Sequence, residues 1–412
     1  MNSKQRILAA LAGAPADHVP LTTWCFGFPA PQHLQWQTAG RPVEFWYTGR
    51  LEHIHTLPHP WTMEDEFHRA EAWLSLGIDD VLEVSVPWSC GAAVVWSDAT
   101  LAPGSPGGDP EWPVRVREYQ TPSGPLRHAV KKTAEQGRGW PLQPDHVPLF
   151  EDYNIPRAVK HAVACSADVA AVKHLYRPPS PEQCRQFAER VARMRPLADA
   201  RGLFSQAWAA FGMDAAVWLA GADQAVMMAL DEPAAFDALM DAIFEADLGR
   251  VELAASTPGV DMVCERGWYS STDFWSPQLF DRLVFPYVRR LAEVAHRYGK
   301  KFAYVITTGL KQIGPRLADA GVDLLYFVDP IQDKLSLEEA RDLLARRVTV
   351  VGGTNAVSLT SRDPDRIRRE VRRALDVLGP THRFILHPVD AIFPDTPVDS
   401  VMMMIEAWQQ YR

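Results

Sequence analysis

The stretch 301–397 constrains the fold more than any other part of the sequence. It contains four short apolar runs, and segments with helical periodicity separate them. Short buried strands that alternate with amphipathic helices are typical of βαβ units, and therefore of a parallel sheet covered by helices. The predicted strands are 302–306, 322–328, 348–351 and 384–386, and the predicted helices between them are 310–320, 336–346 and 364–378.

The first three quarters of the chain repeat this alternation. Strands are predicted at 19–24, 80–86, 202–208 and 260–264, which gives eight in all. Eight strands with interleaved helices predict one (β/α)8 TIM barrel over residues 1–412, without an inter-domain linker. The segment of about 87–142 is rich in Gly, Pro and Trp, and we expect it to form a long β-hairpin and loop insertion after the second strand.

Composition and charge exclude several classes of protein. The chain is 47% hydrophobic and 23% charged, as soluble globular proteins are. Its net charge of −9 argues against nucleic acid as a partner, because a phosphate-binding surface needs clustered Lys and Arg. No run approaches the roughly 20 apolar residues of a membrane helix. The five cysteines lack metal or redox spacing, so we expect a cytoplasmic protein.

Polar residues follow several of the predicted strands. In an α/β barrel, ligands bind at the carboxyl ends of the strands. Glu265 follows the fourth strand, Asp329 the sixth, Asn355 the seventh, and His387 and Asp390 the eighth. A carboxylate in such a position suits a general base or a metal ligand. We therefore expect Glu265, Asp390 and His387 to be catalytic, and to hold a metal if one is bound; salt bridges, turns and caps are the alternative roles.

A second group of residues suits substrate binding. Glu83 and Gln206 lie within predicted strands from which they could point into the barrel mouth. The chain has 14 tryptophans, and aromatic walls suit a flat or methylated substrate, although core packing explains any single tryptophan equally well. The predicted substrate contacts are Trp24, Glu83, Gln206, Trp268, Asp329 and Asn355.

Several short motifs occur in an order that resembles a known family. They are Asp17-His18-Val19-Pro20, Thr121-Pro122-Ser123-Gly124-Pro125-Leu126, Ser276-Pro277 with Phe285-Pro286, Gly352-Gly353-Thr354-Asn355, and Pro394-Asp395-Thr396-Pro397. Together they resemble the uroporphyrinogen decarboxylase superfamily over essentially the whole chain. One branch of it decarboxylates uroporphyrinogen without a metal. The other, which this chain resembles more, comprises zinc-dependent methyltransferases that act with small methyl donors, corrinoid proteins and thiols.

The chain departs from both branches. The decarboxylases carry Arg-Gln-Ala-Gly-Arg directly after strand one, whereas this chain has Trp24-Cys25-Phe26-Gly27-Phe28. A polycarboxylate such as uroporphyrinogen needs arginine to bind it. The methyltransferases hold zinc by His-x-Cys after strand five and Cys after strand eight. The matching positions are Ile306, Thr308 and Asp390, so the family's zinc ligands are absent.

The resemblance implies methyl transfer from a small O-, N- or S-methyl compound to a corrinoid protein or a thiol. Zinc and a corrinoid carried by a partner protein are the implied cofactors, and a homodimer is implied by the resemblance alone. Two alternatives stay open. One is decarboxylation of uroporphyrinogen or another carboxylate, and the other is a non-catalytic barrel that binds a tetrapyrrole or corrinoid.

Overall fold

Seven parallel strands form one curled sheet in the computed structural model, in the order β13-β12-β11-β10-β9-β8-β3. Every neighbouring pair is parallel, as the βαβ pattern predicts. In chain order the strands are β1 (Gln37–Thr38), β2 (Arg41–Pro42), β3 (Val81–Ser85), β4 (Val95–Leu101), β5 (Val114–Thr121), β6 (Gly124–Lys131), β7 (Ala158–Lys160), β8 (Phe204–Ala210), β9 (Met262–Glu265), β10 (Lys301–Val305), β11 (Leu324–Val328), β12 (Thr349–Asn355) and β13 (Phe384–Val389).

Helices follow the strands of the sheet and cover its outer face. They are α1 (Ser3–Ala12), α2 (Met63–Ser75), α3 (Asn154–Arg157), α4 (Val169–Leu175), α5 (Pro181–Arg201), α6 (Gly212–Ala220), α7 (Ala222–Asp231), α8 (Pro233–Ser256), α9 (Pro277–Leu283), α10 (Phe285–Arg297), α11 (Leu310–Asp319), α12 (Leu337–Leu343), α13 (Ala356–Thr360), α14 (Pro364–Leu378) and α15 (Val398–Tyr411).

The structure describes residues 1–24, 37–38, 41–42, 63–133, 146–152, 154–392 and 396–412. Within these ranges, no helix is both long and apolar enough to cross a lipid bilayer. Cys25 to Phe28 and residues 394–395 of the last motif lie outside the described residues.

The predicted first strand is reduced to one bridging residue. Leu21 pairs in parallel with Leu386 of β13, and its carbonyl accepts a 2.9 Å hydrogen bond from the Asp79 amide. Residues 20–22 therefore lie between the last strand and the approach to β3, which is consistent with a TIM-type barrel. The strand predicted at 19–24 was too long because Pro20 has no amide hydrogen to continue the ladder.

Two strands extend further than predicted. Gly353 pairs with His387 and Asn355 pairs with Val389, so the polar residues after the apolar runs belong to β12 and β13. The sequence also predicts single helices at 213–230 and 276–298, and the structure divides each of them in two. Gly221, with φ of 79°, separates α6 from α7, and Pro286 lies in the first turn of α10, where the preceding helix ends.

The segment of about 87–142 contains most of a second sheet. Strands β4, β5 and β6 pair antiparallel, and β7 adds a fourth strand. The sequence also predicts a helix at 155–165, and this prediction is wrong, because only Asn154–Arg157 is helical there and Ala158–Lys160 pairs with β6.

Helix α1 closes one end of the curled sheet. Its apolar residues Ile7, Ala10 and Leu11 are buried in the same cluster as the inward side chains of the strands. The Thr349 hydroxyl donates a 2.8 Å hydrogen bond to the Ala10 carbonyl at the start of β12. A ligand must therefore enter from the opposite end, where the strands have their carboxyl termini.

Candidate active site

Alternation along the strands determines which candidate side chains face the interior of the curled sheet. Met262 and Cys264 belong to the interior cluster, whereas Val263 packs in the layer between sheet and helices. The same alternation turns Glu83 and Gln206 inward, since Val81 and Phe204 two residues earlier face the interior. The structure thus places these two predicted substrate contacts inside the barrel.

A chain of hydrogen bonds connects the inward polar residues. The Gln206 amide donates to Glu83 Oε1 at 2.7 Å, and its oxygen accepts from the Tyr326 hydroxyl at 3.2 Å. All three residues are buried. Burial, and then the charge of Glu83, raise the pKa of the Cys264 thiol well above its ordinary value. Cys264 therefore stays protonated. The hydrogen bond from Gln206 holds the carboxylate of Glu83 in one orientation.

Glu83 is also positioned from outside the sheet by a buried ion-pair network. The backbone amide of Glu83 donates a hydrogen bond to Glu66 Oε1 at 2.8 Å. Arg69 binds the same carboxylate through two nitrogens at 2.8 and 3.0 Å, and it binds Asp80 at 2.7 Å. Glu66 and Arg69 are fully buried, so strand β3 is fixed to α2 at this point.

An aromatic cluster lies towards the carboxyl ends of the strands, with Trp24 at its centre. Only 3% of Trp24 is exposed. Its ring centroid lies 5.3 Å from Trp208, 6.0 Å from Trp268, 4.8 Å from Tyr326, 4.8 Å from Phe327 and 5.6 Å from His387. The predicted contacts Trp24 and Trp268 therefore share one wall, and Trp208, Tyr326 and Phe327, which were not predicted as substrate contacts, complete it.

His387 joins this wall from β13. Its Nδ1 is 3.1 Å from the Thr22 hydroxyl, and its ring centroid is 5.4 Å from that of Phe327. The residue is fully buried. His387 is thus in the interior, as predicted, and Thr22 sets the orientation of its ring.

Asp390 lies beside the aromatic wall just after β13. Trp268 hydrogen-bonds its side chain, and burial raises the pKa of the carboxyl to about 7 against the opposing charge of Arg266. Its Oδ1 atom is buried and has no hydrogen-bond partner in the part of the chain that the structure describes. Both protonation states of Asp390 are accessible near neutral pH.

Arg266 connects this wall to two further carboxylates. Its guanidinium is 3.1 Å from Asp152 and 3.4 Å from Asp214, and it lies between the indoles of Trp218 and Trp268, 4.6 and 4.5 Å from their centroids. Burial raises the pKa of Asp214 to about 7. Arg266 was not predicted as a site residue, and the carboxylates that bind it are distant from it in sequence.

Asp329 and Asn355 lie together, but each has a structural role. Asp329 Oδ1 accepts from the amides of Ile331 and Gln332, and its Oδ2 accepts from the Asn355 amide at 2.7 Å. Asn355 caps α13 by accepting from the Val357 amide at 2.7 Å. The turn and cap roles considered for these positions account for their hydrogen bonds, although both stand at the carboxyl ends of their strands.

Glu265 is the exception among the predicted catalytic residues. As the last residue of β9 it has the parity of Val263, so it points into the helical layer. A Cβ at Gly212 would overlap its Oε1, and its Oε2 is buried without a hydrogen-bond partner among the described residues. Burial, and then the charges of Asp247 and Asp214, raise its pKa well above the ordinary value. The strand alternation therefore separates Glu265 from His387 and Asp390.

This placement predicts an effect on stability. A carboxyl group whose pKa is raised by folding destabilises the folded state above its unfolded-state pKa, and increasingly so as the pH rises. Glu265→Gln should therefore leave the fold intact and increase the free energy of unfolding, with a larger gain at pH 8 than at pH 5. Urea unfolding at the two pH values measures this. A loss of stability that is equal at both would contradict the buried, protonated carboxyl.

A third buried network holds the ends of β3 and β8 to α8. Arg250 donates to the Val86 carbonyl at 2.8 and 3.1 Å and to the Tyr176 hydroxyl at 2.6 Å. The Tyr176 hydroxyl donates to Asp247, whose other oxygen accepts the Gly212 amide at 2.8 Å. The network fixes the ends of the strands that carry Glu83 and Gln206.

Comparison with known proteins identifies the family. The model of the uroporphyrinogen decarboxylase (URO-D) family matches residues 149–411. The chain belongs to the uroporphyrinogen decarboxylase family. No curated protein sequence matches it.

The fold of this family member is shared with a methyltransferase from Methanosarcina mazei, with a TM-score of 0.62 and 16% identity over 100% of this chain and 99% of that one. Identity this low shows a common fold alone. A 3-keto-D-glucoside 4-epimerase from E. coli has a TM-score of 0.36, with 10% identity over 56% of this chain and 86% of that chain, too low to support an argument.

The zinc site of the uroporphyrinogen decarboxylase family's methyltransferase branch does not fit these residues. Ile306 is buried in the helical layer, and the Thr308 hydroxyl donates to Asp273 at 2.7 Å. Within the described ranges, no three His, Cys, Asp or Glu side chains are grouped so that they could hold a metal ion. The structure does not bring together Glu265, His387 and Asp390, the set predicted to hold a metal if one is bound, because Glu265 faces the helices.

Proposed function

We propose that this member of the uroporphyrinogen decarboxylase family transfers a methyl group from a small methylated compound to a corrinoid protein or a thiol. The observation that carries the proposal is the aromatic wall around Trp24, which adjoins the Glu83–Gln206–Tyr326 hydrogen-bond chain and Asp390. Aromatic side chains with a few fixed polar groups beside them are the lining that small organic ligands prefer. The shared fold with a protein named as a methyltransferase is in keeping with it.

The residues of this chain would act by binding and orientation. The rings of Trp24, Trp208 and Trp268 surround the methyl group and exclude water from it. Glu83, held by Gln206, binds the polar end of the donor, and Asp390 holds or releases a proton beside the leaving heteroatom. A Co(I) corrinoid on a partner protein, when present, supplies the nucleophile that accepts the methyl group.

We take residues 20–22 as the position of the eighth barrel strand.

Charge argues against uroporphyrinogen as the substrate. A tetrapyrrole with many carboxylates needs arginines that are available to bind them. Arg266, the guanidinium beside the wall, is already bound by Asp152 and Asp214, and Asp390 and Glu83 add further carboxylates. These groups would repel a polyanion.

One assay separates the three functions considered. Purified protein is incubated anaerobically with a panel of methylated compounds and either cob(I)alamin or a thiol, and the methylated acceptor is measured. Uroporphyrinogen is tested in parallel for release of carbon dioxide. We expect a methylated acceptor and no carbon dioxide. Carbon dioxide release alone would overturn the proposal in favour of decarboxylation, and tight binding of a tetrapyrrole or corrinoid without product would favour a binding protein.

A further inference from the structure

We infer that the methyl donor is an onium ion, which means a quaternary ammonium or a tertiary sulfonium compound. This inference rests on the methyl transfer proposed above. The inference depends on three features of the described residues: aromatic faces that already bind a cation, carboxylates next to them, and the absence of the family's zinc ligands from their matching positions.

The aromatic wall has the chemistry of a cation site. A methylated ammonium group binds to the faces of indole and phenol rings, because their quadrupoles present negative charge there. Trp268 already has a guanidinium 4.5 Å from its centroid, and Trp208 lies nearly parallel to it, at 22° and 6.4 Å. Trp24 and Tyr326 add rings with centroids 4.8 Å apart. Indoles and a phenol from four separate chain segments thus converge at one place.

Two carboxyl groups, those of Asp390 and Glu83, adjoin the aromatic wall. Asp390 Oδ1 is buried with no hydrogen-bond partner among the described residues, and Trp268 binds its side chain. Glu83 is hydrogen-bonded to Gln206, and Gln206 lies two residues before the wall residue Trp208 on the same face of β8. The charge of Arg266 is shared between Asp152 and Asp214. A buried carboxylate is stable when a cation pairs with it, and an onium ligand would supply that charge.

An onium donor also explains how transfer proceeds without the family's metal ligands. When the bond between the methyl carbon and nitrogen or sulfur breaks, its electron pair stays on the heteroatom. The leaving group departs as a neutral amine or thioether. The acceptor, a Co(I) corrinoid or a thiolate, supplies the pair for the new bond to the methyl carbon. With an onium donor no proton moves to the leaving group, so Asp390 serves as the counter-ion of the donor and not as an acid; a thiol acceptor releases its proton to solvent as it becomes a thiolate. The neutral leaving group needs no Lewis acid, which agrees with Ile306 and Thr308 at the positions of zinc ligands.

Binding to shape-matched probes tests the inference. Choline and its neutral analogue 3,3-dimethyl-1-butanol have nearly the same shape but differ in charge, and trimethylsulfonium represents the sulfur class. Isothermal titration calorimetry measures the three with the wild-type protein. We expect either or both onium ions to bind at least about tenfold more tightly than the alcohol, and the preferred one identifies the source of the methyl group. Equal affinity for the alcohol, or no binding of any probe, would overturn the inference.

Paired variants show whether the binding occurs at this wall. Trp268→Leu and Asp390→Asn should each weaken onium binding by about fivefold or more. The matched controls are Trp96→Leu, at a side chain 50% exposed on β4, and Asp365→Asn, at a side chain 81% exposed on α14. Both controls should bind like the wild type. Circular dichroism checks that each variant is folded, and unchanged binding in folded Trp268→Leu and Asp390→Asn would overturn the assignment.

Transfer assays distinguish failure of this inference from failure of the proposed function. Methyl transfer from methanol or anisole, but from neither onium ion, would overturn the onium donor and leave methyl transfer in place. Onium binding with no transfer to either acceptor would overturn both. Transfer from an onium donor, lost in Trp268→Leu and retained in Trp96→Leu, is the expected result.

Discussion

Replacing Arg250 with methionine should lower the free energy of unfolding by about 3–5 kcal/mol, because removal of one partner leaves a buried charge uncompensated. Arg250 is fully buried, and its guanidinium binds Asp247, the Tyr176 hydroxyl and the Val86 carbonyl. Burial already raises the pKa of Asp247, and the charge of Arg250 opposes that rise. Without the guanidinium, Asp247 must be either ionised in an apolar layer or protonated.

The matched control for this prediction is Arg289→Met. Arg289 pairs with Glu293 at 3.3 Å, but both side chains are more than half exposed, at 61% and 51%. An exposed pair of this kind contributes about 0–1 kcal/mol. Urea unfolding of both variants compares them directly. Equal, small effects at the two positions would show that the buried network does not hold α8 to the strand ends.

His128 should contribute a fall in stability with decreasing pH, opposite in sign to the contribution of the buried carboxyls such as Glu265, and His128→Leu should remove that contribution. His128 on β6 is fully buried, and neither of its ring nitrogens is hydrogen-bonded among the described residues. Burial, with the charges of His161 and Arg117, lowers its pKa from 6.5 to about 3. Below pH 6.5 the unfolded chain binds a proton at this imidazole and the folded chain does not. The unfolded state therefore gains about 1.4 kcal/mol for each pH unit down to about pH 3.

Urea unfolding of the wild type and His128→Leu between pH 7.5 and pH 4.5 measures this effect. The variant lacks the contribution of His128, so its free energy of unfolding should rise relative to that of the wild type as the pH falls, and the two curves should diverge. His382→Asn is the control, because His382 is exposed and Asn tolerates its φ of 56°. Parallel curves for the wild type and His128→Leu would contradict the neutral, buried imidazole.

The sequence predicted the sheet more completely than the site. Seven predicted strands have counterparts within a few residues, because short continuous apolar runs bounded by turn signals are typical of strands buried on both faces. The strand at 19–24 failed at Pro20. The helices that divide at Gly221 and before Pro286 were predicted as single helices because their apolar periodicity continues across the break.

Orientation was the harder problem at the site. The strand alternation turns Glu83 and Gln206 into the interior, one of the directions that the sequence left open, whereas Glu265 was selected only because it follows an apolar strand. Because β9 includes Glu265, one residue of register decided which face it reached. The carboxylates of Asp152 and Asp214 around Arg266 come from separate parts of the chain, and no local pattern predicts that they meet.

The most direct test of this account compares methyl transfer by Glu83→Gln and Glu265→Gln, since the central claim is that the interior of the sheet carries the chemistry. Both changes replace a buried carboxyl by its amide, one in the interior and one in the helical layer. Glu83→Gln should lower kcat/KM by about tenfold or more, as loss of a charged hydrogen-bonding group predicts. Glu265→Gln should remain within about threefold of the wild type. Full activity in Glu83→Gln together with an inactive, folded Glu265→Gln would contradict the account and place the reaction on the other face of the sheet.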